Sequence, residues 1–466
     1  MHKLRTLAAI LTSTIVLGAC GGGGGSGGSG GGIPGGGNVM GGNHEPQRLN
    51  VAVKDSAVLK ARVSGAGWIA LLEKPHRIFD GYNAPERSLL FSGGARYLPP
   101  AGWHLIDFDV HPSGQVSAVL VGERDVQLVR LDAGGTVLHS APLDDPQHLA
   151  DAYYGSPEGL ADPGAMHPFP TLDTARLAAT GEEIVLLLRT GRNALVAYRL
   201  AQAAGAVQMR WRTLVEPGTS IVNVWLTGTH DPYGDLQHQW RAYMDVDAQG
   251  RVAIAAPVNL TYLNADHARH FNEPLLAGPW YGSLLTILDA NGARQRSTIV
   301  NTRAESQLTT VRWTGPDAVA LAGRIRTARD NPAGWDGYVA RVQPSSRTVQ
   351  SMQAVDFEGG DVILELAPLP GGRLLAGGAS NYTQNTAGAS ISETAAPLLA
   401  ILDQDGKLVR RLPVEGGPRQ NQVRALAPFG KGWLAGGMRN GPGTHSADGA
   451  ENLILADGWL REVAVD

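Results

Sequence analysis

The 466-residue chain has a single cysteine, Cys20, and aromatic residues make up only 6% of it. One thiol excludes a disulfide framework and a thiolate-rich zinc site within the chain. Lys and Arg (39) do not outnumber Asp and Glu (43), so a net charge of −4 offers no basic footprint for nucleic acid. No H-E-x-x-H helix and no G-x-S-x-G elbow between apolar segments occurs, which removes the zincin and serine-hydrolase signatures. Beyond the apolar run Leu7 to Val16, no run approaches 18 residues, so no downstream helix is expected to cross a bilayer.

The chain begins with a positive stretch (His2, Lys3, Arg5), the apolar run and small residues, the pattern of a signal peptide over 1–19. Leu17-Gly18-Ala19-Cys20 resembles the lipobox of bacterial lipoproteins. That resemblance implies cleavage before Cys20, lipidation of its sulfur and new amino terminus with palmitate-like chains, and, with Gly21 next, an outer-membrane address. Two or more acyl chains make a stable anchor. Once Cys20 is lipidated, the mature chain has no thiol for catalysis. Residues 20–47 are mostly Gly with some Ser and read as a flexible tether.

The domain expected over 48–466 is built from repeats. "LAPLPGGRLLAGGAS" from Leu366 and "LAPFGKGWLAGGMRN" from Leu426 align at an offset of 60 residues, and weaker copies begin near Phe108, Ala175, Tyr243 and Val311. Each is an apolar stretch, a Gly-bearing turn and a second apolar stretch, followed by another hairpin such as "LLAILDQDGKLVRRLPV" or, last, "NLILADGWLREVAV". Two hairpins per unit make a four-stranded antiparallel blade. With a fainter unit from Val58, the pattern predicts an all-β propeller of about seven four-stranded blades. The units resemble the bacterial propeller repeats of about sixty residues found in many envelope proteins, a likeness that implies a fold and little about function.

Several motifs fall short of a site. "DVDAQG" (245–250) and "DQDG" (403–406) resemble the start of a calcium loop, but the later ligands are missing, so a turn using Asp and Gly is expected. The double glycines of "LAGGAS" and "LAGGMR" look like kelch blades, and glycine packing beside a crowded channel explains them equally well.

Turn lengths place the site. The first and third turns of each unit are short, whereas the long connections (75–87, 144–170, 227–239, 259–282, 326–336, 379–396, 439–451) all belong to the other class and should crowd one mouth. That mouth collects His148, Tyr153, Tyr154, His230, Asp231, Asp235, His238, Asp266, His267, His270, Trp280, Trp335, Asp336 and His445 as the candidate binding face. No spacing among them is diagnostic of a metal or a catalytic set. The expected function is therefore a non-catalytic binding or scaffold module for an envelope protein or a glycan, without a cofactor and without nucleic acid. The alternative is a carbohydrate hydrolase or lyase at the same mouth, with His/Asp acid–base pairs or a divalent metal. With its first blade starting on the mouth side, the tether is expected to join there.

Overall fold

The computed structural model describes residues 49–465 apart from 66, 75–85, 123–124, 146–174, 190–194, 204, 217–241, 260–280, 305, 328–333, 388–389 and 442–455. The chain divides into two units, Met1–Gln47 and Arg48–Asp466, and the fold is that of the second. No helix among the described residues is long and apolar enough to cross a membrane.

After β1 (Asn50–Val53), the strands form consecutive antiparallel meanders. The first sheet is β2 (Ala57–Ser64), β3 (Gly67–Glu73), β4 (Arg87–Phe91) and β5 (Arg96–Tyr97). The second is β6 (His104–Val110), β7 (Val116–Val121), β8 (Val126–Leu131) and β9 (Val137–Pro142). The third is β10 (Arg176–Thr180), β11 (Glu183–Arg189), β12 (Leu195–Ala203) and β13 (Ala206–Glu216). The fourth is β14 (Tyr243–Val246), β15 (Val252–Asn259), β16 (Tyr281–Leu288) and β17 (Arg294–Asn301). The fifth is β18 (Ser306–Gly315), β19 (Ala318–Arg326), β20 (Trp335–Gln343) and β21 (Thr348–Val355). The remaining strands are β22 (Gly360–Pro368), β23 (Leu374–Ala387), β24 (Ser390–Leu402), β25 (Leu408–Arg411), β26 (Gln420–Phe429), β27 (Gly432–Gly441) and β28 (Asp457–Val463).

Those seven and β1 make one eight-stranded sheet. It consists of a meander β22–β25 and a group β26–β27–β28–β1, joined by a single parallel pair, Ala395↔Gln420. The expected count of about seven separate blades is thereby corrected: five four-stranded blades stand alone, and the closing part of the chain forms a larger sheet. The cause is local. The 379–396 stretch expected as a loop is instead a β-ribbon running out to the pair Ala387↔Ser390, and along it β24 reaches the start of β26.

The turns form as the sequence dictates. Asp403 Oδ1 accepts from the N–H groups of Asp405 (2.8 Å) and Lys407 (2.9 Å), and Gly406 takes φ 86°. Asp247 does the same for Gln249 and Arg251, with Gly250 at φ 77°. Both calcium-like runs are thus Asx turns, in which a short carboxylate and a glycine let the chain reverse in four residues.

Apolar layers separate neighbouring sheets. Ile106, Val119 and Leu128 pack on Leu177, Leu186 and Tyr198 between the second and third. Val58, Ala70 and Leu72 pack on Ala425, Leu434 and Leu460, which closes the ring. The first strand of every unit is innermost, and all seven such strands (β2, β6, β10, β14, β18, β22, β26) line one central cavity of about 410 Å³.

The last fourfold group is completed from the other end of the chain. β1 pairs antiparallel with β28 from Asn50↔Arg461 to Val53↔Gly458, and Leu49 O accepts from Glu462 N at 3.0 Å. This corrects the reading of "NLILADGWLREVAV" as a two-stranded hairpin: its described part is the single strand β28, and the fourth strand is β1. It also corrects the side on which the chain enters. As the outermost strand of its group, β1 begins at the edge that carries the short turns, opposite the edge of the long connections.

Candidate functional site: the central channel and its mouth

The innermost strands carry a recurrent irregularity. Register slips by one residue at Val58/Lys60, Leu105/Asp107, Leu308/Thr310, Ile363/Glu365 and Val423/Ala425. The skipped residues, Leu59, Ile106, Thr309, Leu364 and Arg424, all line the cavity. A bulge re-aims a side chain that a regular ladder would place elsewhere. Here it builds a mainly apolar collar with one guanidinium around the channel.

The double glycines belong to this device. Gly323, Gly378 and Gly437 pair with Leu308, Ile363 and Val423, the residues just before three of the bulges. A Cβ on any of them would come under 3.0 Å from the carbonyl oxygen of Gln307, Val362 or Gln422. Packing against the channel strand, rather than a kelch relationship, explains these glycines.

One and three residues beyond the bulges lie charges that face one another across the channel strands. Lys60 Nζ meets Asp107 Oδ1 at 2.8 Å, Arg62 Nε meets Asp109 Oδ1 at 2.8 Å, and Arg312 Nη2 meets Glu365 at 2.6 Å. The carboxylates also serve the neighbouring sheet. Asp107 Oδ2 accepts from Leu177 N (2.9 Å), Asp109 Oδ2 from Ala179 N (2.8 Å) and Asp245 Oδ2 from Trp313 N (2.7 Å). An innermost strand has no further strand to take its outward N–H groups, and these side chains satisfy them. Burial pushes the Lys60 ammonium down, against the attraction of Asp107. Burial likewise pushes the Asp245 carboxyl up, against Arg312 and the Trp313 amide. For Asp109 the upward push of burial is outweighed by Arg62 and Lys60, and its carboxyl lies below the ordinary value.

The ring predicts its own sensitivity. Asp107→Ala removes the carboxylate from Lys60 and from the Leu177 amide at once, and is expected to lower stability by about 2 kcal/mol in urea unfolding. A change below about 0.5 kcal/mol would mean that water replaces both contacts.

At the mouth, Asp336 on β20, Asp356 in the β21–β22 crossing and Asp361 on β22 bring carboxylate oxygens within 4.8 Å of one another. Asp361 is fully buried, and burial foremost, then Asp356 and Asp336, pushes its carboxyl up to about 7. Asp336 is also raised, by burial first and then by Asp356.

Of the sequence-predicted residues, Asp336 is thus part of a cluster. Trp335, the first residue of β20 at the same edge, is 3% exposed, its ring flanked by Arg324 (4.4 Å) and Arg326 (5.6 Å), so its side chain is covered in this structure. His148, Tyr153, Tyr154, His230, Asp231, Asp235, His238, Asp266, His267, His270, Trp280 and His445 lie outside the described residues. The channel residues were missed by sequence reasoning, although a signal exists. In "LKARV" and "IDFDV", charges fall at every second position of a strand whose other positions are apolar, as on a strand with one face in a polar channel.

The connections between described strands divide as their lengths suggested. The first and third turns of each unit are short, such as 110–116 and 402–408. The stretches between β3 and β4, β9 and β10, β13 and β14, β15 and β16, and β27 and β28 are the long ones, and all start and end at the opposite edge.

No family model and no curated protein matches the chain. Among solved structures it is similar to YCF48 bound to D1 peptide (10% identity, 91% of this chain and 97% of that one, TM-score 0.45). It is also similar to a virginiamycin B lyase from Staphylococcus aureus (10% identity, 90% and 99% covered, TM-score 0.46). A third similar structure is the WD40 β-propeller domain of Doa1 (7% identity, 88% and 95% covered, TM-score 0.44). The chain's own four-stranded meanders, ranged around one cavity and closed on themselves, make the fold a β-propeller with four-stranded blades.

Proposed function

We propose that the protein is an outer-membrane lipoprotein, anchored through lipidated Cys20, whose propeller is a non-catalytic binding module for an envelope protein or a glycan. One observation carries this reading: every long connection of the propeller issues from one edge, while the chain enters the domain at the other. A rigid scaffold that concentrates variable connections on one face is how binding surfaces are commonly built. The channel supports the same reading, because Lys60, Arg62 and Arg312 and their carboxylates are engaged in ion pairs or sheet-to-sheet contacts.

Two measurements test it on the full chain in its own envelope. Cys20→Ser should abolish palmitate labelling and release the protein from the membrane fraction. Crosslinking in intact envelopes should capture a partner or glycan that is lost when 227–239 and 259–282 are shortened. Capture that survives both shortenings overturns the assignment of the face. Turnover of an envelope polysaccharide that is lost in Asp245→Asn would replace the binding module by an enzyme.

A further inference from the structure

The repeat offers an internal control for the buried carboxyl at the mouth. Asp361 and Asn421 stand 60 residues apart, at the same place in the two most similar units. Asp361 Oδ2 accepts from Phe357 N and its Oδ1 from Asn381 N at 3.2 Å. Asn421 Oδ1 accepts from Gly417 N (2.8 Å) and Asn440 N (3.4 Å). Asn381 and Asn440 both take φ 54°, so the two sites hold the same backbone turn.

The difference is on the donor side. Asn421 Nδ2 also donates to the carbonyls of Ala395 (2.8 Å), Gly417 (2.8 Å) and Arg419 (2.6 Å). At Asn421 the fold thus presents carbonyl oxygens to a neutral group that both accepts and donates, whereas Asp361, in the same backbone turn, accepts two N–H groups and has acids for neighbours. A protonated carboxyl, like the Asn421 amide, is neutral and can still accept from the crossing. At Asp361 the surroundings add two further acids, Asp356 from the crossing and Asp336 from β20. Three cations of this region lie over rings: Arg411 on β25 over Phe357 (5.6 Å), and Arg324 (4.4 Å) and Arg326 (5.6 Å) on β19 over Trp335. From β23 the site receives the Asn381 amide, and Glu358 in the crossing donates its own N–H to Asp356.

We propose that the Phe357–Gly360 crossing is a proton-controlled element of the mouth, closed while Asp361 is protonated and loosened when Asp361, Asp356 and Asp336 are all ionised. The crossing is suited to this, since Glu358 and Gly359 both hold φ 82° and the N–H groups that begin the turn are held by Asp361 (Phe357) and Asp356 (Glu358). The sign follows from linkage. The closed state favours the proton more than the open state does, so raising the pH favours opening until the closed-state group itself has titrated, near 7.

Amide exchange of Phe357 and Asn381 in the full chain, corrected for the intrinsic pH dependence, tests the idea. Their opening equilibrium should rise about tenfold per pH unit between roughly pH 5 and 7 and level off above. Asp361→Asn, which copies the residue of the sister unit, should hold it constant across that range. Asp356→Asn, which leaves Asp361 in place, should move the plateau to lower pH and decides the matter should Asp361→Asn fold poorly. Parallel profiles for the wild type and Asp361→Asn, or no shift in Asp356→Asn, overturn the proposal. So does a profile abolished by a chelator or displaced by millimolar calcium, which would make the control one of cations rather than protons.

Discussion

Removal of residues 48–53 is expected to destabilise the propeller by roughly 4–6 kcal/mol. β1 contributes four paired residues to β28 and the Glu462-to-Leu49 hydrogen bond, each bond having a net value of about 1 kcal/mol. Leu49, Val51 and Val53 also cover the apolar layer formed by Val58, Leu72 and Leu460, and exposing partly buried side chains adds about 1 kcal/mol or less for each. Urea unfolding of the truncated and full chains, followed by tryptophan fluorescence, measures the difference. A loss under about 1 kcal/mol would show that the last sheet holds without its fourth strand.

Gly378→Ala and Gly437→Ala are each expected to cost about 3 kcal/mol, at the upper end of overpacking effects. The added Cβ meets backbone, the carbonyl of Val362 or of Gln422, and no rotamer change relieves it. Because the glycine allows the bulge, the substitution should also disturb the channel, moving Leu364 or Arg424 out of the collar. Gly93→Ala is the control: nothing lies within 4 Å of the new Cβ, so stability should stay within about 0.5 kcal/mol. Equal losses in all three would point to a general intolerance of alanine rather than to close approach of the channel strand.

Much of the architecture was legible because its determinants are local. An apolar strand, a tight turn and a second apolar strand recur along the chain, and these first hairpins close through short turns. The Asx turns at Asp247 and Asp403 needed only the identities of neighbouring residues. The closure by β1 was not legible, because Asn50 and Arg461 lie at opposite ends of the chain and four residues of "NVAV" look like any short strand. The joined eight-stranded sheet was hidden for a related reason. The run from Ser380 to Ala396 is rich in Ser, Thr, Gln and Asn, which reads as loop, yet its backbone continues the ladder of β23 and β24.

The site was legible in a different proportion. Turn lengths separated the two edges of the propeller, since a length is read directly from the positions of strands. The charged channel required knowing which strand of each unit is innermost, and only then do Lys60, Asp107, Asp245 and Glu365 come together from sheets far apart in sequence. Asp361 was invisible to motif reasoning: it is one acid in "EGGDV", and its character comes from burial and from Asp336 and Asp356.

The pairing of β1 with β28 also sets an order of events. The first strand of the domain to leave the ribosome, or to emerge from an export channel, has no partner until almost the last residues have followed. Until then the earlier meanders can form from local contacts, while the ring stays open with two unpaired strand edges. Such edges are where chains join one another wrongly, so the interval before closure is the hazardous one in the life of this protein. A chain that stops short of Asp457 never leaves that interval, and cellular quality control should find it by its unfinished edge.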